Sequence, residues 1–421
     1  MEREAVQRRT LRVLFAAQVF SGAGLGAGVS VGALLAEDMI GGTGYAGVPA
    51  ALFTTGSALA AFLVGAISQR AGRRFGLMLG LATGALGGLG TVLAAAIDSV
   101  PLLLVSLFLY GSGVATNLQA RYAGADLARP DQRGRAISLV LVGTTVGAVI
   151  GPNMVDVMGG VALDLGIREL AGPFILSSAA YAVGAVIVGV MLRPDPLLFA
   201  RRAQLTPEVT TAPAVVPVAH NPRNVRLAAT VMVVSQLVML AIMTMTPVHM
   251  RDHGQPLSAT GLVISLHIAA MFLPSPITGN LVDRLGRMPI IAAGGMTLGA
   301  AGVVAALAPP ESLPATAVAL ILLGLGWNLG IVGGTALLTD SVPLERRART
   351  QGGADVALAL AGATGGLGSG VMVASTSFAA LSIVGGVVGL AILPLLLAVR
   401  ARPAAPPVAE PEPVPVSRDA G

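Results

Sequence analysis

A few polar side chains stand inside long apolar runs of this 421-residue chain: Gln18, Asn117 with Arg121, Gln236, His267, and Trp327 with Asn328. Polar groups in so apolar a setting are costly and are functional candidates by default. Facing one central cavity, they could hold a small molecule by hydrogen bonds, with Met239 and Met243 adding flexible, polarisable contacts to an apolar body. Each has a plainer reading as a packed or internally satisfied residue. His267 is the preferred titratable site, because imidazole changes charge near neutral pH; the alternative is a neutral ring satisfied by a neighbouring helix. Asp156 and Asp355 are the acids considered for proton coupling beside it, Asp156 being either a protonation site or an outer-loop residue. Arg121 either lies inward or snorkels. No metal site or cofactor is expected.

The elements that position these residues follow from composition. At 54 % hydrophobic and 11 % charged, the chain is far from the roughly 25 % charged of a soluble domain. Apolar runs of about 20 residues, enough to cross roughly 30 Å of hydrocarbon, recur twelve times. The expected spans are 11–36, 47–68, 75–97, 101–125, 137–160, 173–193, 225–247, 259–279, 289–308, 316–340, 351–373 and 379–399. Backbone groups in lipid must be satisfied internally, which makes them helices. The first is too long for the apolar core of a cleavable signal peptide. Pro247, Pro274 and Pro276 are expected to kink the helices that carry them.

Every basic residue is Arg, 26 in all. With the N-terminus inside, only Arg168 and Arg251 fall outside, so the positive-inside rule places both termini in the cytoplasm and the chain in the plasma membrane. The net charge of +5 therefore reports topology; arginines scattered over short loops are not a nucleic-acid face. Without Lys there is no Walker A motif and no Schiff-base chemistry, and without Cys no disulfide or thiolate metal site. An enzyme is not expected.

The stretch GNLVDRLGRM from Gly279 has a near copy, GAISQRAGRR, from Gly65, and Gly65, Arg70, Gly72 and Arg73 recur 214 positions on at Gly279, Arg284, Gly286 and Arg287. The same offset relates Asp126 to Asp340, Arg133 to Arg347, Arg135 to Arg349 and Gly151 to Gly365. The chain is thus read as two repeated six-helix bundles, 1–193 and 225–399, joined by a Pro-rich cytoplasmic linker at 194–224 and followed by a disordered cytoplasmic tail at 400–421. Asp126, Asp340 and Asp355 could pair with the loop arginines in one state and release them in another, the differential contact a two-state switch needs; the alternative is solvated helix ends.

G-x-x-x-D-R-x-G-R at Gly279 to Arg287, with its degenerate copy at Gly65 to Arg73, resembles the signature of the major facilitator superfamily. The resemblance implies an all-α fold of twelve transmembrane helices in two pseudo-symmetric bundles, with this motif bracing a cytoplasmic gate. Gly65 and Gly279 would allow close helix approach, Gly72 and Gly286 would form the turn, and Arg70, Arg73, Arg284 and Arg287 would make inter-helix ion pairs. The acidic position is Asp283 in the second copy but Gln69 in the first, which has lost a charge. GAVIGP, Gly147 to Pro152, is similar to the core of a motif of drug/proton antiporters in that superfamily, although Val155 and Asp156 stand where two glycines are expected. Physically, Gly147 and Gly151 offer a smooth packing face and Pro152 removes a backbone donor.

The resulting expectation is a secondary active transporter, most simply a proton-coupled exporter of a small amphipathic or hydrophobic compound working by alternating access. The alternatives are an uptake carrier or uniporter for a small metabolite, or a membrane sensor that no longer transports. The expected partners are a small-molecule substrate, protons and the lipid bilayer, with the protein a monomer.

Overall fold

In the computed structural model, residues 2–40, 47–205 and 220–400 are described. Residues 206–219 of the expected linker, nearly all of the expected tail, and the side chain of Pro152 lie outside the described residues. The first half contributes α1 (Glu2–Ile40), α2 (Gly47–Ala71), α3 (Arg73–Ala96), α4 (Val100–Ala125), α5 (Arg133–Asn153), α6 (Val155–Asp164) and α7 (Gly172–Met191). After α8 (Pro196–Leu205), the second half contributes α9 (Pro222–Asp252), α10 (Leu257–Phe272), α11 (Ser275–Leu285), α12 (Arg287–Leu307), α13 (Leu313–Asp340), α14 (Leu344–Ser375), α15 (Phe378–Leu390) and α16 (Ile392–Arg400). By length and composition, 12 spans are able to cross a membrane, the number expected, and there is no strand among the described residues.

Three spans differ from expectation for identifiable reasons. α1 starts well before residue 11, because Arg3 and Gln7 donate to the carbonyls of Leu127 and Gly124 at the end of α4, at 3.1 and 2.7 Å. The expected span 137–160 ends at Asn153, where Met154 leaves helical geometry and α6 begins. The expected span 259–279 is broken at Pro274, which cannot donate to the preceding turn, into α10 and α11. Pro247, by contrast, sits within the continuous α9.

Lipid provides no hydrophobic force between helices, so small residues that let backbones approach must supply the packing. In the first half α1 lies against α5 and α7, α3 against α4 and α7, and α2 against α4; in the second, α12 packs on α13 and α15, and α9 on α13 and α14. α5 shows the rule. A Cβ on Gly151 would stand 2.5 Å from the carbonyl oxygen of Ala23, and one on Gly147 would collide with that of Val19. The halves meet along α2 with α14 and α5 with α11. These two seams exchange under the 214-residue repeat.

Gly147→Leu should force α1 from α5 at an overpacking cost of about 1–3 kcal/mol, lowering the thermal transition in detergent by roughly 2–12 °C at about 2–4 °C per kcal/mol. Gly160→Leu, where nothing lies within 4 Å of the added Cβ, should leave the transition unchanged.

Candidate transport pathway and its gates

The turns after α2 and α11 place Gln69 and Asp283 at the same end of the molecule as most of the arginine-bearing loops, here termed the basic end. Gly72 and Gly286 follow with φ of 94° and 91°, a left-handed region in which glycine is needed. Asp283 reaches the start of α5 and accepts from the backbone N–H groups of Gly134 (2.8 Å) and Arg135 (3.0 Å), donors that an isolated helix leaves unpaired. Gln69 reaches the equivalent place on α14, accepting from Ala348 (2.8 Å) and Arg349 (3.3 Å), and its amide nitrogen donates to the carbonyl of Leu344. Losing the charge at position 69 therefore does not lose the contact. Both seams bring glycine to glycine: a Cβ on Gly65 would stand 2.8 Å from the Cα of Gly352, and one on Gly279 would strike the carbonyl of Gly134.

Behind these contacts, two aspartates each face two arginines. Asp126 pairs with Arg73 of its own half at 2.7 Å and faces Arg347 of the other half at 3.9 Å. Asp340 pairs with Arg287 of its own half at 2.6 Å and with Arg133 of the other. Arg73 also donates to Gln351 across the interface. Arg133 and Arg347 are absent from the sequence-derived gate, although the 214-residue offset that links them was the signal for it. Arg70 and Arg284 make no ion pair among the described residues; both are exposed at the rim. α8 closes this end from below, burying Leu197 and Ala200, while Arg201 donates to the carbonyls of Gln69 and Leu344, one from each half.

Asp355 is no gate acid at a helix end. Deeper in the interface, its Oδ1 accepts from Arg121 at 2.7 Å and from the hydroxyl of Tyr122 at 3.0 Å. Arg121 also donates to Thr335, residue 121 plus the repeat offset, and to the carbonyl of Leu118. It does not snorkel: its side chain is 0 % exposed. Asp355 Oδ2 has no partner, and Asp355 lines a central cavity of about 180 Å3. A second cavity of about 440 Å3, lined by Phe53, Thr54, Leu240, Thr244 and Gly366, continues toward the end opposite the basic end. The two share Ser57, Val114, Gln236 and Ala359. The path is thus closed at the basic end and continues away from it.

Four of the predicted binding residues, Asn117, Gln236, Met239 and Trp327, line the central cavity. The other four do not. Gln18 is tied to Asn117, Thr144 and Ser21 in a buried knot joining α1, α4 and α5. Asn328 splints the break at Pro274, donating to the carbonyl of Met271 and to Ser275 and accepting from Thr278. Met243 packs half-buried against the second-half core. His267 is fully buried between α10 and α13, its Nδ1 2.8 Å from the carbonyl of Leu320, away from the cavity. Asp156 is exposed in the first turn of α6. At the same far end Arg168 bridges Asp38 (2.6 Å) and Asp98 (2.8 Å), and these two hydrogen-bonded carboxylates raise its pKa above the ordinary arginine value.

Comparison with known proteins agrees with this architecture. The family model described as Major Facilitator Superfamily matches residues 14–327 and 227–418. The uncharacterized MFS-type transporter YdeG of Bacillus subtilis (strain 168) is 52 % identical over 404 residues, covering 95 % of this chain and 94 % of its own. The riboflavin transporter RfnT of Brucella anthropi is 31 % identical over 403 residues, covering 94 % and 98 %. Among solved structures, the human organic anion transporter MFSD10 (TETRAN) superposes with a TM-score of 0.75 at 15 % identity over 93 % of this chain and 99 % of that one. The proton:xylose symporter XylE follows with a TM-score of 0.72 at 15 % identity, covering 94 % and 96 %. At such identities the structures support the fold alone.

Arg133→Ala should weaken one seam of the basic end by about 1–2 kcal/mol, a five- to thirtyfold population shift. Because the chain has no Cys, spin labels at Arg70→Cys and Arg284→Cys report the separation of the two loops cleanly. The expected outcome is a longer-distance population absent from the parent; an unchanged distribution would show that the cross-half pair does not hold this end shut.

Proposed function

Because the chain belongs to the Major Facilitator Superfamily and is a multi-pass membrane transporter, we propose that it exports a small amphipathic or hydrophobic compound in exchange for protons by alternating access. The observation that carries this reading is Asp355, the one charged residue lining either cavity among the described residues, with one oxygen held by Arg121 of the other half and the other oxygen without a partner. A proton on that carboxylate removes the charge that holds Arg121 and so weakens a contact between the halves. This is the differential interaction a coupled switch requires. The thioether and aromatic lining of Met239, Met271, Phe272 and Trp327 suits an apolar body.

The positive-inside rule assigns the basic end, and with it both termini, to the cytoplasm of a plasma-membrane protein. The described conformation is then closed to the cytoplasm and faces outward, where a proton can reach Asp355. Protonation favours opening inward; proton release to the cytoplasm and substrate loading there favour return. Asp355 replaces His267 as the coupling site in this reading, because His267 does not line the path. Each molecule acts alone, its two halves enclosing the pathway.

In bacterial cells, protonophore-sensitive exclusion of a panel of lipophilic dyes should appear with the parent protein, fall at least tenfold in Asp355→Asn and persist in His267→Ala. Exclusion that survives Asp355→Asn in full would remove the carboxylate from the coupling step.

The resemblance to a riboflavin transporter favours a second reading, an uptake carrier for a flat metabolite with polar edges. Proteoliposomes preloaded with unlabelled riboflavin should then accumulate labelled riboflavin by counterflow. If they do, the dye panel should show no exclusion and the export reading gives way.

A further inference from the structure

The four residues shared by the two cavities come from four helices, Ser57 from α2 and Val114 from α4 in the first half, Gln236 from α9 and Ala359 from α14 in the second. Residues that line two adjoining spaces stand at the boundary between them. Three of the four are small or short. Gln236 alone is long enough to reach into the opening, and its position is fixed: Trp327 Nε1 donates to Gln236 Oε1 at 2.7 Å. Trp327 is itself 3 % exposed and braced by the ring of Phe272, edge-on at 5.4 Å. Gly362 lies beside it: a Cβ there would stand 3.4 Å from the amide nitrogen of Gln236, an ordinary contact, and 2.6 Å from Cδ1 of Leu240.

Resting on the reading that these cavities are the transport path, we propose that Ser57, Val114, Gln236 and Ala359 form a size-selecting neck, and that Trp327 sets its aperture by holding Gln236. The chamber beyond it, about 180 Å3, is smaller than the roughly 300–1,000 Å3 of sites for drug-sized ligands and close to the about 150 Å3 that accommodates benzene. The substrate class that reaches Asp355 is therefore a one-ring amphipathic molecule, or the one-ring end of a longer one whose remainder stays in the outer cavity. Trp327 acts here as a positioning residue through its indole N–H, beyond its contribution of apolar surface.

The lack of native Cys allows a test that needs neither a known substrate nor transport. Ala115→Cys lies in the central chamber only, and Ala363→Cys in the outer cavity only. Their reaction rates would be compared for a small reagent, 2-aminoethyl methanethiosulfonate, and a bulky one, fluorescein maleimide. Ala363→Cys should react with both, and Ala115→Cys at least tenfold faster with the small reagent than with the bulky one once each is normalised to Ala363→Cys. Adding Trp327→Phe, which keeps a ring but lacks the N–H, or Gln236→Ala, should remove that discrimination. Adding Ala359→Leu should slow the small reagent at Ala115→Cys at least tenfold. Retained labelling at Ala363→Cys in each background reports an intact fold. Equal normalised rates in the parent, or discrimination that survives both Trp327→Phe and Gln236→Ala, would overturn the neck. Should the neck hold while the dye panel and riboflavin both fail, only the proposed substrates fall.

Discussion

An unpaired charge withdrawn from water is intolerable to a folded chain, and this protein meets that constraint at its basic end by making each half complete the other. Asp126 and Asp340 each take one arginine from their own bundle and face one from the partner bundle. Parting the halves here leaves buried groups short of partners unless water enters as they separate, and breaking a buried pair by removing one partner typically costs several kcal/mol. The closed basic end depends on that reciprocity.

The repeat gives the lock its form. Exchanging the halves carries Arg73, Asp126 and Arg133 onto Arg287, Asp340 and Arg347, and the seam of α2 with α14, through Gly65, onto that of α11 with α5, through Gly279. Within this symmetry the departures are instructive. Gln69 matches Asp283 as an acceptor for two backbone N–H groups of the helix across the seam but adds a donor to the Leu344 carbonyl, trading a charge-assisted contact for an additional neutral one. Arg121 meets Thr335 where strict symmetry would oppose like side chains, and Asp355 corresponds to Leu141. The buried pair of Arg121 and Asp355 is thus asymmetric, although it sits inside a symmetric frame.

Much of the frame was legible in the sequence because lipid imposes a simple code. Twelve apolar runs, Pro274 as a break and the two loop motifs all follow from length, backbone satisfaction and repetition. What faces the path was legible only in part. Gln236 and Asn328 are both polar residues in apolar helices, yet one lines the cavity and the other splints a broken helix; the difference lies in the rotation of a helix and the neighbour opposite, which composition does not encode. Arg133 and Arg347 read as topogenic loop charges until their partners are in view. Asp355 reads in the sequence equally as a coupling acid and as a helix-end gate acid, because its arginine, Arg121, lies 234 positions away on the other half.

α8 ties the two halves together at the basic end. Arg201 clasps a carbonyl from each bundle, and α8 leads directly into the segment that joins them. One guanidinium on a short helix thus spans the seam beside the lock, so a displacement of α8 is felt by both bundles at once.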